Sequence, residues 1–264
     1  MTFTYQILCY KHCVCSNNHQ LLHKHLNQSF KFVFQPDSKM VDFLFILGGD
    51  GTFINQIKPF ITNNYPTKII MVNFGSLGFN AAYEKIEDIN LLEIMNETDF
   101  HPINVLKTKI NNNDVFYSVN ELMLWTDKIM QLDVSINDTH LETYKGSGLM
   151  VATQIGSSAS NKSNNGAIII SEQNVYQYSK ILPFNCKNNF SITNPIILHF
   201  NHHLIFNNQN DDNEIKLIND GQIVLISSKI KNIYCQIIET NLKIFNKNRL
   251  ITYISALRKA FIKD

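Results

Sequence analysis

The chain has 264 residues, enough for one large domain or two modest ones. Hydrophobic residues make up 44% and charged residues 17%, an ordinary globular balance, and a formal net charge of +1 gives no electrostatic reason to expect a nucleic-acid or membrane-surface partner. No apolar run approaches the roughly 18 residues of a membrane span, and the first residues lack the basic segment of a secretory leader. The cysteines, Cys9, Cys13, Cys15, Cys186 and Cys235, are odd in number and show no framework spacing, which points to reduced thiols in a cytoplasmic protein. Three of them lie near His12, His19, His23 and His25, all potential metal ligands, but without a CxxC pair the expected reading is incidental thiols and surface histidines.

In chain order, residues 5–10 predict a first strand, 19–28 a helix with Leu21, Leu22 and Leu26 at helical spacing, and 30–34 another strand. Residues 43–47 and 68–73 are nearly unbroken apolar runs, as in strands buried on both faces of a parallel sheet. Between them, 52–61 reads as a helix that Pro59 shortens or kinks, and 86–96 reads as a further helix. After His101-Pro102 the texture becomes β-rich. Segments 105–110 and 115–119 flank Asn111 to Asp114, segments 132–136 and 139–144 flank Asn137-Asp138, and segments 214–218 and 222–227 flank the hairpin signal Asn219-Asp220-Gly221. Residues 250–262 place Ile251, Ile254, Leu257 and Phe261 at the spacing of an amphipathic helix. The predicted class is α/β plus all-β: an open α/β sheet domain at 1–101, a β-sandwich-like domain at 102–240, and a terminal helix at 241–264 that returns to the first domain.

The strongest chemical signal is Gly48-Gly49-Asp50-Gly51-Thr52, which ends a buried strand and leads into a helix. Glycines bring backbone amides close to a ligand, and amides near a helix N-terminus attract phosphate. An aspartate repels phosphate, so its presence in such a loop suits a general base toward an incoming hydroxyl, or help in holding Mg²⁺. The plainer alternative is a tight turn in which Asp50 caps the helix. A second signal is Asn120-Glu121, a polar pair inside an apolar strand: either an alternating strand with one wet face, or buried groups that require hydrogen-bond partners.

Gly-Gly-Asp-Gly-Thr resembles the motif shared by NAD kinases, diacylglycerol and sphingosine kinases and, more remotely, phosphofructokinases. Asn73-Phe74-Gly75-Ser76-Leu77-Gly78-Phe79 is similar to the Asn-x-Gly-x-Leu-Gly-Phe of the NAD kinases. Asn120-Glu121 matches their Asn-Glu, and Lys145-Gly146-Ser147-Gly148-Leu149 through Ser163 looks like their Arg-Gly-Asp-Gly-Leu…Ala-Thr-Pro-Thr-Gly-Ser-Thr-Ala-Tyr…Ser. Thr193-Asn194-Pro195-Ile196 fits a later Ser-Pro strand of that family. The resemblance implies transfer of the terminal phosphoryl group of ATP, or of polyphosphate, to the adenosine 2′-hydroxyl of NAD. It makes Asp50 the base and assigns the phosphates to Gly48, Gly49, Gly51 and Thr52. The nucleotide would be contacted by Phe79, Asn120, Glu121, Lys145, Ser147, Ser158, Ala159 and Ser163. Mg²⁺ or another divalent cation would arrive on the nucleotide phosphates with no protein ligand set, and the chain would assemble as a homodimer or homotetramer. The departures are Ser147 for Asp, Ser160 for Tyr, Gln154-Ile155 for Pro-Thr and Lys145 for Arg. They remove an acceptor, a stacking surface and a bidentate fork. The alternatives are a lipid kinase of the same superfamily, which has no need of Asn120-Glu121, and a non-catalytic nucleotide-binding protein.

Overall fold

Unbroken hydrophobicity selects the centre of the first sheet. The computed structural model describes residues 2–9, 12–27, 31–111, 113–170, 174–187, 189–210 and 213–262. Its first elements are β1 (Thr2–Cys9), α1 (His12–Leu26), β2 (Lys31–Phe34), β3 (Phe43–Gly48), α2 (Asp50–Ile57) and β4 (Thr67–Asn73). Strands β5 (Phe100–Ile110), β6 (Asp114–Ser118), β7 (Glu121–Ile136) and β8 (Thr139–Ala152) follow, then a short helix α3 (Ser160–Ser163). The remainder is β9 (Val175–Pro183), β10 (Ile196–His199), β11 (His203–Asn208), β12 (Ile215–Asn219), β13 (Gln222–Ser227), β14 (Asn232–Phe245) and α4 (Arg249–Phe261). The chain forms two compact units, one from residues up to 103 together with 239 onward, the other from 104–238.

In the first unit the order is β2-β1-β3-β4 followed by the last part of β14, every pair parallel. Every residue of β3 is buried, as its apolar run predicts. Tyr5, Phe43, Phe45, Ile70, Val72 and Phe245 pack into one core with Leu22 and Leu26 of α1. Gly48 and Asn73 are register partners at the carboxyl ends of β3 and β4, so the two glycine motifs leave the sheet at the same edge. Pro59 falls in a 3-10 turn directly after α2, the expected shortening.

The second unit is β-rich and sandwich-like. Strand β7 lies antiparallel to β8 along its length; its other edge takes β12 first and β11 further on. The β7–β8 ladder shifts register between Trp125 and Met130, which bends the sheet around Leu124, Tyr144, Tyr176, Phe206, Leu217 and Cys235. Asn137-Asp138 and Asp220-Gly221 all have positive φ, the backbone of tight two-residue hairpins.

Three expectations need correction. Residues 86–96 form isolated 3-10 turns at Ile86–Asp88 and Glu93–Met95. Ile89 is extended, and the Asn90 side chain takes the N–H groups of Leu92 and Glu93, which interrupts helical bonding. Helix α4 exists, but Ile251, Ile254 and Phe261 are exposed, and its buried residue is Ala256, whose small side chain permits close packing. Cys9 is disulfide-bonded, contrary to the reduced-thiol reading, while Cys186 and Cys235 are free. The side chains of residues 12–16 lie outside those described; His23 meets Tyr5 OH, and His25 meets the Ile89 carbonyl at 2.7 Å. Among the described residues no helix is long and apolar enough to cross a membrane.

Candidate functional site

At the carboxyl edge of β3 the backbone is extended at Gly49 and enters α2 at Asp50. The first amides of α2 have no helical partner, and with the helix dipole they favour a bound anion. The N-cap of α2 is Gly49, which has no side chain with which to cap it, and Asp50 is the first helical residue. The Asp50 carboxylate accepts four hydrogen bonds from the Asn73 motif and the residue after it. Oδ2 takes Gly78 N–H at 3.2 Å and Phe79 N–H at 3.1 Å; Oδ1 takes the Asn80 N–H at 3.1 Å and the Asn80 side-chain amide at 3.0 Å. The Phe79 ring lies edge-on to Tyr253 of α4, with centroids 5.4 Å apart. Asp50, Phe79 and the glycine loop therefore form one cluster, with Thr52 buried one residue beyond Gly51.

A second cluster surrounds Asn120-Glu121. Asp220, in the β12–β13 turn, accepts the N–H groups of Val119, Asn120 and Glu121 at 3.2, 2.7 and 3.3 Å and fixes that backbone. The Asn120 carbonyl takes Thr153 N–H at 2.8 Å. Gly156 then approaches so closely that a Cβ would stand 2.1 Å from the Asn120 oxygen, so no side chain fits there. Glu121 is 4% exposed. Ser160 donates to its Oε1 at 3.0 Å, and Oε2 is buried without a partner. Burial, with some help from the Asp220 charge, pushes the Glu121 carboxyl up to about 7, against the lowering effect of the Ser160 bond. An orphaned acceptor of this kind suits a ligand hydroxyl.

The remaining predicted residues divide. Ser158 and Ala159 lie in the turn between Gly156 and α3, and Ser163 is the exposed last residue of α3. Lys145 and Ser147 are on β8, where Ala152 is the register partner of Glu121. At about 3.3 Å per residue, Ser147 is roughly 17 Å and Lys145 roughly 23 Å along the strand from that partner. The structure therefore does not bring them to Glu121. Nearer to them, Lys180 and Glu142 form a buried ion pair at 2.6 Å, and Glu142 Oε2 also takes the Ser191 hydroxyl and the Ile192 N–H. Among the described residues, no three His, Cys, Asp or Glu side chains converge as a metal site would require.

Asn80 and Asp220 were not identified from sequence. Asn80 directly follows the second glycine motif, a polar residue where an apolar segment begins, and that was its available signal. Asp220 was visible as a turn former, which concealed its hydrogen bonds to the bend between β6 and β7, 100 residues away at Asn120.

No protein-family model matches the chain. The NAD kinase of Ureaplasma parvum is 34% identical over 261 residues, covering 98% of this chain and 96% of that protein. Among solved structures, an NAD kinase from Archaeoglobus fulgidus in complex with ATP superposes with a TM-score of 0.75 at 15% identity, covering 97% of this chain and 99% of that one. Yeast NADH kinase complexed with NADH gives 0.79 at 16% identity, covering 98% of this chain and 87% of that one.

Proposed function

The chain belongs to the NAD kinase family and catalyses phosphoryl transfer to NAD, and from that premise we propose how its residues divide the reaction. Asp50 takes the proton of the adenosine 2′-hydroxyl as that oxygen attacks the terminal phosphorus of ATP. The amides of Gly49, Gly51 and Thr52 at the head of α2 hold donor phosphates, with Gly48 leaving room for the Thr52 side chain, which a Cβ there would meet at 2.5 Å. The observation that carries this reading is the placement of Asp50 at the first turn of a helix that leaves a buried parallel strand. Phosphoryl transfer needs mainly positioning and charge neutralisation, so few groups suffice.

The 104–238 unit supplies the dinucleotide contacts. Glu121 and Asn120 bind ribose hydroxyls, the orphaned Glu121 Oε2 supporting a hydroxyl donor there. The turn at Ser158 and Ala159, with Ser163, lines the adenosine, and Phe79 flanks the nucleotide. Lys145 and Ser147 are assigned to the nucleotide through the family resemblance. A divalent cation would neutralise the transferred phosphates when bound; Asp50 is one carboxylate, too few for a resident ion, so Mg²⁺ belongs to the donor. A cytoplasmic homodimer or homotetramer completes the reading. The compared proteins support NAD as acceptor, and nothing in them favours a diacylglycerol or sphingosine kinase.

The test is transfer of labelled phosphate from ATP, or from polyphosphate, to NAD by purified protein, with Asp50→Asn measured beside it for turnover and NAD binding. Loss of turnover with NAD still bound supports Asp50 as base, and a variant that keeps most of its activity removes that role.

A further inference from the structure

If Asp50 is the base, its hydrogen bonds constrain how it acts. An ionised carboxylate offers about four lone-pair positions. Four donors already approach them, at 3.2, 3.1, 3.1 and 3.0 Å. A hydroxyl surrendering its proton must come within roughly 2.6–3.2 Å of one of these oxygens. One donor has to yield.

Three of the four are consecutive main-chain amides in a pinned segment. Gly78 has φ 76, and a Cβ there would stand 2.7 Å from Asn73 Nδ2. The Asn73 side chain is itself held, taking Gly75 N–H at 2.9 Å and donating to Glu84 at 3.1 Å. Ala82 N–H is bonded to Met71 O at 3.2 Å, and Phe79 packs on Tyr253. The fourth donor is the Asn80 side-chain amide, which leaves by rotation about its own bonds with no movement of the main chain.

We infer that Asn80 is a displaceable placeholder for the acceptor hydroxyl. Resting on the proposed role of Asp50, the inference makes Asn80 a positioning residue: its amide holds Oδ1 in the free enzyme and yields that position to the 2′-hydroxyl of the dinucleotide. A ligand without that hydroxyl has nothing to put in place of the amide and leaves the clamp closed. Displacement costs binding energy, so the clamp weakens the affinity for the true acceptor.

The test is a double-mutant cycle of NAD binding in wild type, Asn80→Ala, Asp50→Ala and the double variant, with steady-state kinetics where there is turnover. Asn80→Ala should tighten NAD about fivefold, the worth of one modest hydrogen bond, with the gain in KM rather than in kcat. Binding of 2′-deoxy-NAD should show no such gain, and in the Asp50→Ala background the substitution should have no effect. Should the alanine variant be unstable, Asn80→Ser also withdraws the amide and gives the same readout. Weaker NAD binding, a change confined to kcat, or an equal effect with and without Asp50 overturns the inference. Turnover retained by Asp50→Asn defeats the base assignment instead, and does so without reference to Asn80.

Discussion

Glu121 makes the stability of the protein depend on pH in a way one substitution removes. Its carboxyl is raised from an ordinary 4.5 to about 7, first by burial and then by the charge of Asp220. The folded pKa lies above the unfolded one, so the fold retains a proton that the unfolded chain releases. The resulting stability is complete below the unfolded value and is lost as pH rises through about 7. Evaluated between about pH 5.5 and about pH 8, the loss is roughly 2 kcal/mol. Glu121→Gln keeps an oxygen for the Ser160 hydroxyl and cannot ionise, so it should flatten this component. Urea unfolding of both proteins at the two pH values, without nucleotide, measures the difference in slope. Equal pH dependence in the two proteins would show that Glu121 ionises in the fold much as it does in the unfolded chain.

Other perturbations follow from the same geometry. Lys180→Met strands the buried Glu142 carboxylate and should cost about 3–5 kcal/mol in urea unfolding, most of it restored when Glu142→Gln is added. Gly156→Ala forces a methyl group against the Asn120 carbonyl, and should cost about 1–3 kcal/mol in stability and raise KM for NAD. Asp220→Ala leaves the amides of Val119, Asn120 and Glu121, at the bend into β7, without this acceptor; it should destabilise by about 2 kcal/mol and weaken NAD binding measured by calorimetry.

Much of this fold was readable from local pattern. Strands β3 and β4 were visible because burial on both faces demands continuous apolar residues, and the hairpins because Asn-Asp and Asp-Gly tolerate positive φ. The 86–96 segment misled because Ile86, Ile89, Leu91 and Ile94 are all buried, although Asn90 breaks the backbone between them. Helix α4 misled because apolar spacing shows periodicity but not which face packs, and Ala256 carries little hydrophobic signal. At the site, Asp50 and Glu121 were legible as residue types in unusual settings. Their partners were not: Asn80 lies 30 residues from Asp50 and Ser160 39 from Glu121, distances that only the tertiary fold closes.

The four bonds around Asp50 also bear on how this position can change over evolutionary time. An asparagine there would turn its NH₂ toward two main-chain N–H donors in the Oδ2 place or toward the Asn80 main-chain N–H in the Oδ1 place, so it loses at least one of the ties between α2 and residues 78–80. A descendant released from selection for turnover would still gain from the aspartate as a tie. The aspartate can therefore outlive the chemistry, and its presence in a distant sequence testifies to an inherited backbone junction before it testifies to an active kinase.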